Sequence, residues 1–137
     1  MNTAETTWYF AARFERLGEV AVMANAARMR GIQVNSRWLG QDPSAGYAGS
    51  APAAFYAERD LEDIRAADAV LFFAEEPSAP YSRGGRHVEF GYALATGKKV
   101  RVIGPEENVF HGLPGIAHYK SFDEWLSDAV KEEACSS

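Results

Sequence analysis

"AVLFFAEEPSAPYSRGGRHVEFGYALATGKKVRVIG", residues 69–104, is the stretch whose reading decides the fold. Its opening, 69–75, is a nearly continuous apolar run, which suits a strand buried on both faces. A loop over 76–85 carries Pro, Ser and Gly. A helix over 86–97 follows, closed by Gly97, and a strand over 99–104 completes the unit.

The same alternation continues in both directions. Upstream, "TWYFAA" (7–12) predicts a first strand, and 14–31 a helix. Gly31 is the expected stop of that helix, and Arg28 and Arg30 suit its negative end. "IQVNSRWL" (32–39) alternates apolar and polar residues and predicts a second strand. The Gly-, Pro- and Ser-bearing stretch 40–52 is a loop long enough to cover something, and 53–68 is a helix with Ala57, Leu61 and Ile64 along one side. Downstream, 105–115 is loop and 116–120 a short last strand. Residues 121–133 are a helix opened by a capping box, Ser121 with Glu124. Strands alternating with helices from end to end imply a parallel sheet wrapped on both faces. The expected fold is an α/β, flavodoxin-like or Rossmann-like three-layer sandwich with a five-stranded parallel sheet. Its 137 residues are expected to form one domain, 1–137.

Composition narrows the function. The apolar fraction is 47%, the charged fraction 24%, the net charge −5 and the pI about 5.2. This balance argues against broad binding to nucleic acid or to an anionic membrane, but not against a small anionic ligand. The one cysteine, Cys135, allows no disulfide within the chain and no zinc pattern, which fits a reducing, cytoplasmic setting. The N-terminal stretch lacks a basic segment followed by an apolar run, so no signal peptide is expected, and no apolar run approaches the roughly 18 residues a membrane span needs. His111 and His118 lack carboxylates at ligand spacing, so no metal is expected, and no other cofactor. The triphosphate-binding loop and the G-x-G-x-x-G after a strand are both absent, which counts against kinases, GTPases and NAD-dependent dehydrogenases. The absence of G-x-S-x-G counts against a Ser-His-Asp hydrolase.

In a sheet of this kind ligands sit beyond the carboxyl ends of the strands, near the reversal of strand order. Residues 11–15, residues 75–85 and the start of the helix carrying Glu89 would meet there. Glu89 is read as a first-turn acid, kept ionised by the helix dipole and so suited to act as nucleophile or base. Arg83, Arg86 and His87 lead up to it, although cations at a helix N-terminus are disfavoured. A bound anion such as phosphate would relieve that cost and use the free N–H groups. The alternative is that Arg86 and His87 point to solvent or pair with Glu75 and Glu76. Gly84, Gly85 and Gly91 would let backbone approach a ligand.

"WYFAARF", "ERDLEDIRAADAVLFF" and "GGRHVEFGYALATGKKVRVIG" together resemble the nucleoside 2-deoxyribosyltransferase superfamily, in that family's order and spacing over roughly residues 7–126. The superfamily includes 2'-deoxynucleoside 5'-phosphate N-hydrolases and CMP-type N-glycosidases. The resemblance implies a five-stranded parallel sheet between helices and active sites completed by a neighbouring subunit, hence a homodimer or higher oligomer. It implies that Glu89, in "GRHVEFGYA", is the catalytic glutamate. Asp60 would place and protonate the departing base, and Tyr9 would lie beside the nucleophile and steady it. Asp68 matches an acid before strand three and is read as structural. Substrate contacts would come from Arg13, Arg83, Gly85, Arg86 and His87. The chain departs from the pattern at His87, where many members have glycine, and at Arg83, where the transferases have aspartate and the nucleotide hydrolases tend to have a phosphate-binding serine. Arg83 favours a 5'-phosphorylated substrate, and "AARFER", with Arg13, loosely matches the phosphate loop of the hydrolases.

The expected activity is cleavage of the N-glycosidic bond of a nucleoside or its monophosphate through a glycosyl-glutamate, resolved by water or by a second base. Trp8, Phe14, Trp38 and Tyr47 are the aromatics that could stack the base. Two other readings stand beside this one: a nucleotide-binding module without turnover, and a glycohydrolase of NAD or a signalling nucleotide.

Overall fold

A computed structural model of the chain describes residues 5–42, 51–76, 78 and 84–136. Its strands are β1 (Thr7–Ala11), β2 (Gln33–Val34), β3 (Ala69–Phe73), β4 (Lys99–Ile103) and β5 (Ala117–Tyr119). They form one parallel sheet in the order β2-β1-β3-β4-β5. The helices are α1 (Leu17–Met29), α2 (Ala53–Ala66), α3 (Gly85–Ala95) and α4 (Phe122–Ser136). This is the expected α/β fold with flavodoxin-like strand order. The chain moves outward from β1 to β2 and then back past β1 to β3, so right-handed crossovers put α1 and α2 on opposite faces. The reversal lies between β1 and β3, and the cleft described below opens beyond their carboxyl ends.

Side-chain alternation divides the core into two layers. Trp8 and Phe10 of β1 point toward α4, where Trp125 meets both edge-on with centroids 5.0 and 5.5 Å away. Phe73 of β3 stacks with Phe122 on the same side. Tyr9 and Phe72 face the other way, toward α3: Tyr9 reaches Glu89, and Phe72 meets Phe90 with centroids 5.2 Å apart. The β3 side chains are buried throughout, as the apolar run predicts.

Three elements differ from the sequence reading. The strand expected over 32–39 ends at Val34, one ladder bond later at Asn35, whose N–H donates to the Trp8 carbonyl. Beyond it, side chains take over the work of a strand. The Ser36 hydroxyl accepts from the Phe10 N–H at 2.7 Å, and the Trp38 indole donates to the Phe10 carbonyl at 2.8 Å. With the backbone of Phe10 satisfied, 37–40 are free to curl into a 3-10 turn, Arg37–Gly40. The helix expected over 14–31 starts with a 3-10 turn, Phe14–Arg16, before α1 proper. At α4, Ser121 Oγ accepts from the Glu124 N–H as predicted, but Glu124 reaches back to the N–H of Lys120 instead of that of Ser121. Asp68 has the structural role expected of it: its carboxylate accepts from the Thr7 N–H at 2.9 Å and ties β1 to the start of β3.

Candidate active site

A cleft of about 160 Å³ lies at the switch point, walled by residues from each element that ends there. Ala12, Arg13, Phe14 and Glu15 come from the segment after β1, and Trp38 and Gln41 from the turn after β2. Tyr56 and Asp60 come from α2, and Gly84, Gly85, Arg86 and Glu89 from the start of α3. Gly84 caps α3 with φ 89°, a left-handed conformation that glycine adopts without strain.

Glu89 lies in the second turn of α3, since the helix starts at Gly85 and its first turn holds no acid. The expectation of a carboxylate held ionised by the helix terminus is therefore corrected: the dipole acts mainly on the first turn. Burial, and then the negative charge of Asp60, raise the Glu89 carboxyl well above the ordinary glutamate range. Tyr9 opposes them by donating its phenolic hydrogen to Glu89 Oε2 at 2.8 Å, a bond that favours the ionised form. The tyrosine is fully buried, and burial followed by the charge of Glu89 holds its hydroxyl protonated.

Asp60 is the second acid. Burial comes first among the causes that push it up to about 6, the Asp63 charge adds to it, and Arg59 works against it. Its interaction with the Glu89 carboxyl lowers Asp60 and raises Glu89. Two carboxyls in such contact share a proton and titrate as a pair, with the proton resting nearer Glu89. Asp60 Oδ1 has no donor among the described residues, so a shared proton is also what its burial calls for.

The basic residues are not bare. Arg86 is buried, with its guanidinium 5.1 Å over the Phe72 ring and both terminal nitrogens on the carboxylate of Glu107, Nη2 to Oε1 at 2.8 Å. His87 lies 3.6 Å from the same carboxylate, yet burial and then the Arg86 charge lower its pKa, so its ring is neutral near pH 7. The expected partners, Glu75 and Glu76, give way to Glu107; Glu75 instead pairs with Arg16 at 2.9 Å and with Arg13 at 3.6 Å. Gly85 is exposed on the cleft rim, while Arg83 lies outside the described residues.

Of the aromatics, Phe14 and Trp38 line the cleft with centroids 6.3 Å apart, whereas Trp8 belongs to the core beside Trp125. Tyr47 and much of the expected cover over 40–52 lie outside the described residues. Sequence reasoning missed Gln41, Tyr56 and Glu107. Gln41 is held by Arg59, whose Nη2 donates to its Oε1 at 2.8 Å, and Arg59 lies 5.4 Å over the Tyr56 ring. No local motif marks these residues; each enters the site through a chain reversal that only the fold supplies. Among the described residues no group of His, Cys, Asp or Glu is arranged to hold a metal. No helix among the described residues is long and apolar enough to cross a membrane.

No family model matches the chain, and no curated protein matches it. Solved structures do. The chain is similar to a 2-deoxyribosyltransferase from Bacillus psychrosaccharolyticus, at 22% identity over 88% of this chain and 90% of that one, with a TM-score of 0.66. A conserved protein from Enterococcus faecalis V583 matches at 18% identity over 94% and 99%, with a TM-score of 0.69. The CMP N-glycosidase of Clostridium botulinum matches at 18% identity over 89% and 96%, with a TM-score of 0.60. At these identities the likeness is one of fold, carried across almost the whole of each chain.

Proposed function

We propose that this chain is an enzyme of the nucleoside 2-deoxyribosyltransferase kind, cleaving the N-glycosidic bond of a nucleoside or nucleoside 5'-monophosphate. The observation that carries the reading is the Glu89–Asp60 pair, two coupled carboxyls at the floor of one cleft with Tyr9 hydrogen-bonded to the first. Two of the proteins that share the fold, a 2-deoxyribosyltransferase and a CMP N-glycosidase, support it.

One proton on two acids supplies both halves of the reaction. When a nucleoside brings a base nitrogen against Asp60, the proton passes to the Asp60 side and Glu89 becomes the carboxylate. A Glu89 oxygen then bonds to C1' of the sugar as the C1'–N bond breaks through an oxocarbenium-like transition state, and the base nitrogen takes the proton from Asp60. Asp60, now ionised, accepts a proton from water or from an incoming base. That nucleophile attacks C1' and releases Glu89. Tyr9 holds the reactive oxygen in place and stabilises its charge. Phe14 and Trp38 form the apolar wall for the base.

Arg13, Gly85, Arg86 and His87, with Arg83, are the proposed contacts for the sugar and its 5' substituent. The Gly84–Gly85 backbone at the start of α3 is the natural seat for a phosphate, should the substrate carry one. A homodimer or larger assembly is part of the same reading: Phe55 of α2 and Val88 of α3 expose apolar surface, at 51% and 66%.

Incubating the purified protein with deoxynucleosides, ribonucleosides and their monophosphates, and following free base by chromatography, tests the proposal. Glu89→Gln and Glu89→Ala should abolish base release while the circular dichroism spectrum stays that of the parent. Turnover at the parental rate by both variants overturns it. Saturable nucleotide binding with no base released after long incubation would instead identify a binding module.

A further inference from the structure

Glu107, in the segment between β4 and β5, touches three separate pieces of the catalytic edge. Its carboxylate takes both terminal nitrogens of Arg86, in the first turn of α3. The same carboxylate accepts from the N–H of Glu75, just past the end of β3, at 2.8 Å. Its own N–H donates to His111 Nδ1 at 3.0 Å. His111 is fully buried, its ring set against Phe72 at 4.8 Å and Phe90 at 4.7 Å. Because Nδ1 accepts, the ring is the neutral tautomer with its proton on Nε2.

These contacts bear on the orientation of α3. Arg86 and Phe90 lie one turn apart on the buried side of the helix, and Glu89 is Phe90's neighbour. A helix held at Arg86 by a two-pronged ion pair, and at Phe90 by an imidazole that the same loop positions, has its rotation about its own axis fixed. That rotation sets whether the Glu89 carboxyl meets Tyr9 and Asp60. We propose that Glu107 is a positioning residue: by holding Arg86 and the His111 loop together it fixes the turn of α3 that brings Glu89 against Tyr9 and Asp60. The proposal rests on the functional reading above only for its kinetic consequence, since the geometry it explains exists without substrate.

The test uses Glu107→Gln, which keeps the shape and part of the hydrogen bonding, and Glu107→Ala, which removes both. Circular dichroism and thermal melting report folding. Carbon-13 NMR of the glutamate side chains, with the Glu89 signal assigned by its absence in Glu89→Gln, follows the titration of Glu89 itself. In Glu107→Ala water should reach Glu89 and its contact with Asp60 should loosen, so its midpoint moves down toward the ordinary glutamate range; Glu107→Gln should fall between this variant and the parent. On a substrate that the parent turns over, kcat should drop about tenfold to a hundredfold with KM changed less than about twofold, the signature of a misplaced reacting group. An unchanged Glu89 titration in a folded Glu107→Ala, or in Glu107→Gln if the alanine variant does not fold, overturns the proposal whatever the kinetics. A shifted titration in a protein that releases no base from any substrate supports the positioning role and rejects the enzymatic reading.

Discussion

Tyr9 and Glu89 are 80 residues apart in the chain and 2.8 Å apart in space, joined by a hydrogen bond from phenol to carboxyl. The bond exists because β1 and α3 meet across the sheet face that alternate residues of β1 address. It is also the main influence that keeps Glu89 from being a fully neutral acid. Tyr9→Phe should therefore raise the Glu89 carboxyl further, because the donor removed had favoured the ionised form. The expected result is a kcat near neutral pH lowered about tenfold, because the shared proton passes less readily from Glu89 to Asp60, and an alkaline limb moved to higher pH. A profile of kcat against pH checks it, and an alkaline limb left where the parent has it would count against a role for this bond.

The shared proton gives the pair its own pH dependence. With two protons on the pair Glu89 cannot attack, and with none Asp60 cannot protonate the base. A plot of kcat/KM against pH should be bell-shaped, its acid limb near the value of about 6 carried by Asp60 and its alkaline limb higher, set by the raised Glu89. Asp60→Asn should lose the alkaline limb and about a hundredfold to ten-thousandfold in rate on substrates whose base needs a proton to leave.

Stability should follow the same pair. Both acids have folded-state pKa values raised above their unfolded ones. Their contribution is thus fully present below about pH 4, and it is lost as pH rises through about 6 and beyond. Thermal melting at pH 5 and pH 8 should show Glu89→Gln gaining on the parent as pH rises, with a Tm at pH 8 at least about 3 °C higher. The same variant should lose activity under the proposed mechanism, so stability and activity are expected to move in opposite directions at this position.

The wall that carries Trp38 depends on Asp63. This buried carboxylate accepts from the Arg37 backbone at 2.9 Å and from Arg37 Nε at 2.8 Å, tying the 3-10 turn after β2 to α2. Asp63→Ala removes the acceptor of the part-buried N–H of that turn and should cost about 1 kcal/mol in urea unfolding. It should also weaken substrate binding, because Trp38 lines the cleft. A KM unaltered alongside the lost stability would refute the link.

The layers of the fold were legible in the sequence because each rests on a local pattern. The apolar run 69–75 announced the central strand, and the glycines at 31 and 97 ended their helices with φ of 86° and 76°. What stayed hidden was decided at a distance. The stretch 32–39 has strand-like alternation, but Ser36 and Trp38 turn back to the Phe10 backbone, an interaction that no local periodicity reports. Arg86 and His87 were read as cations in search of an anion, and the acid that meets them, Glu107, is 21 residues from Arg86 in the chain. The resemblance singled out Glu89 as the proposed reactive residue, whereas its protonation depends on Asp60 and on burial, which only the assembled cleft provides.

The brevity of β2 reaches beyond the cleft. An outer strand offers a row of backbone groups on which a foreign chain can zip itself, the first step toward fibrous aggregates. Here one flank of the sheet is two residues long and the other three, and just past Val34 the ladder gives way to side-chain bonds. The turn that places an indole beside the cleft thus also denies intruding polypeptides a template along that border.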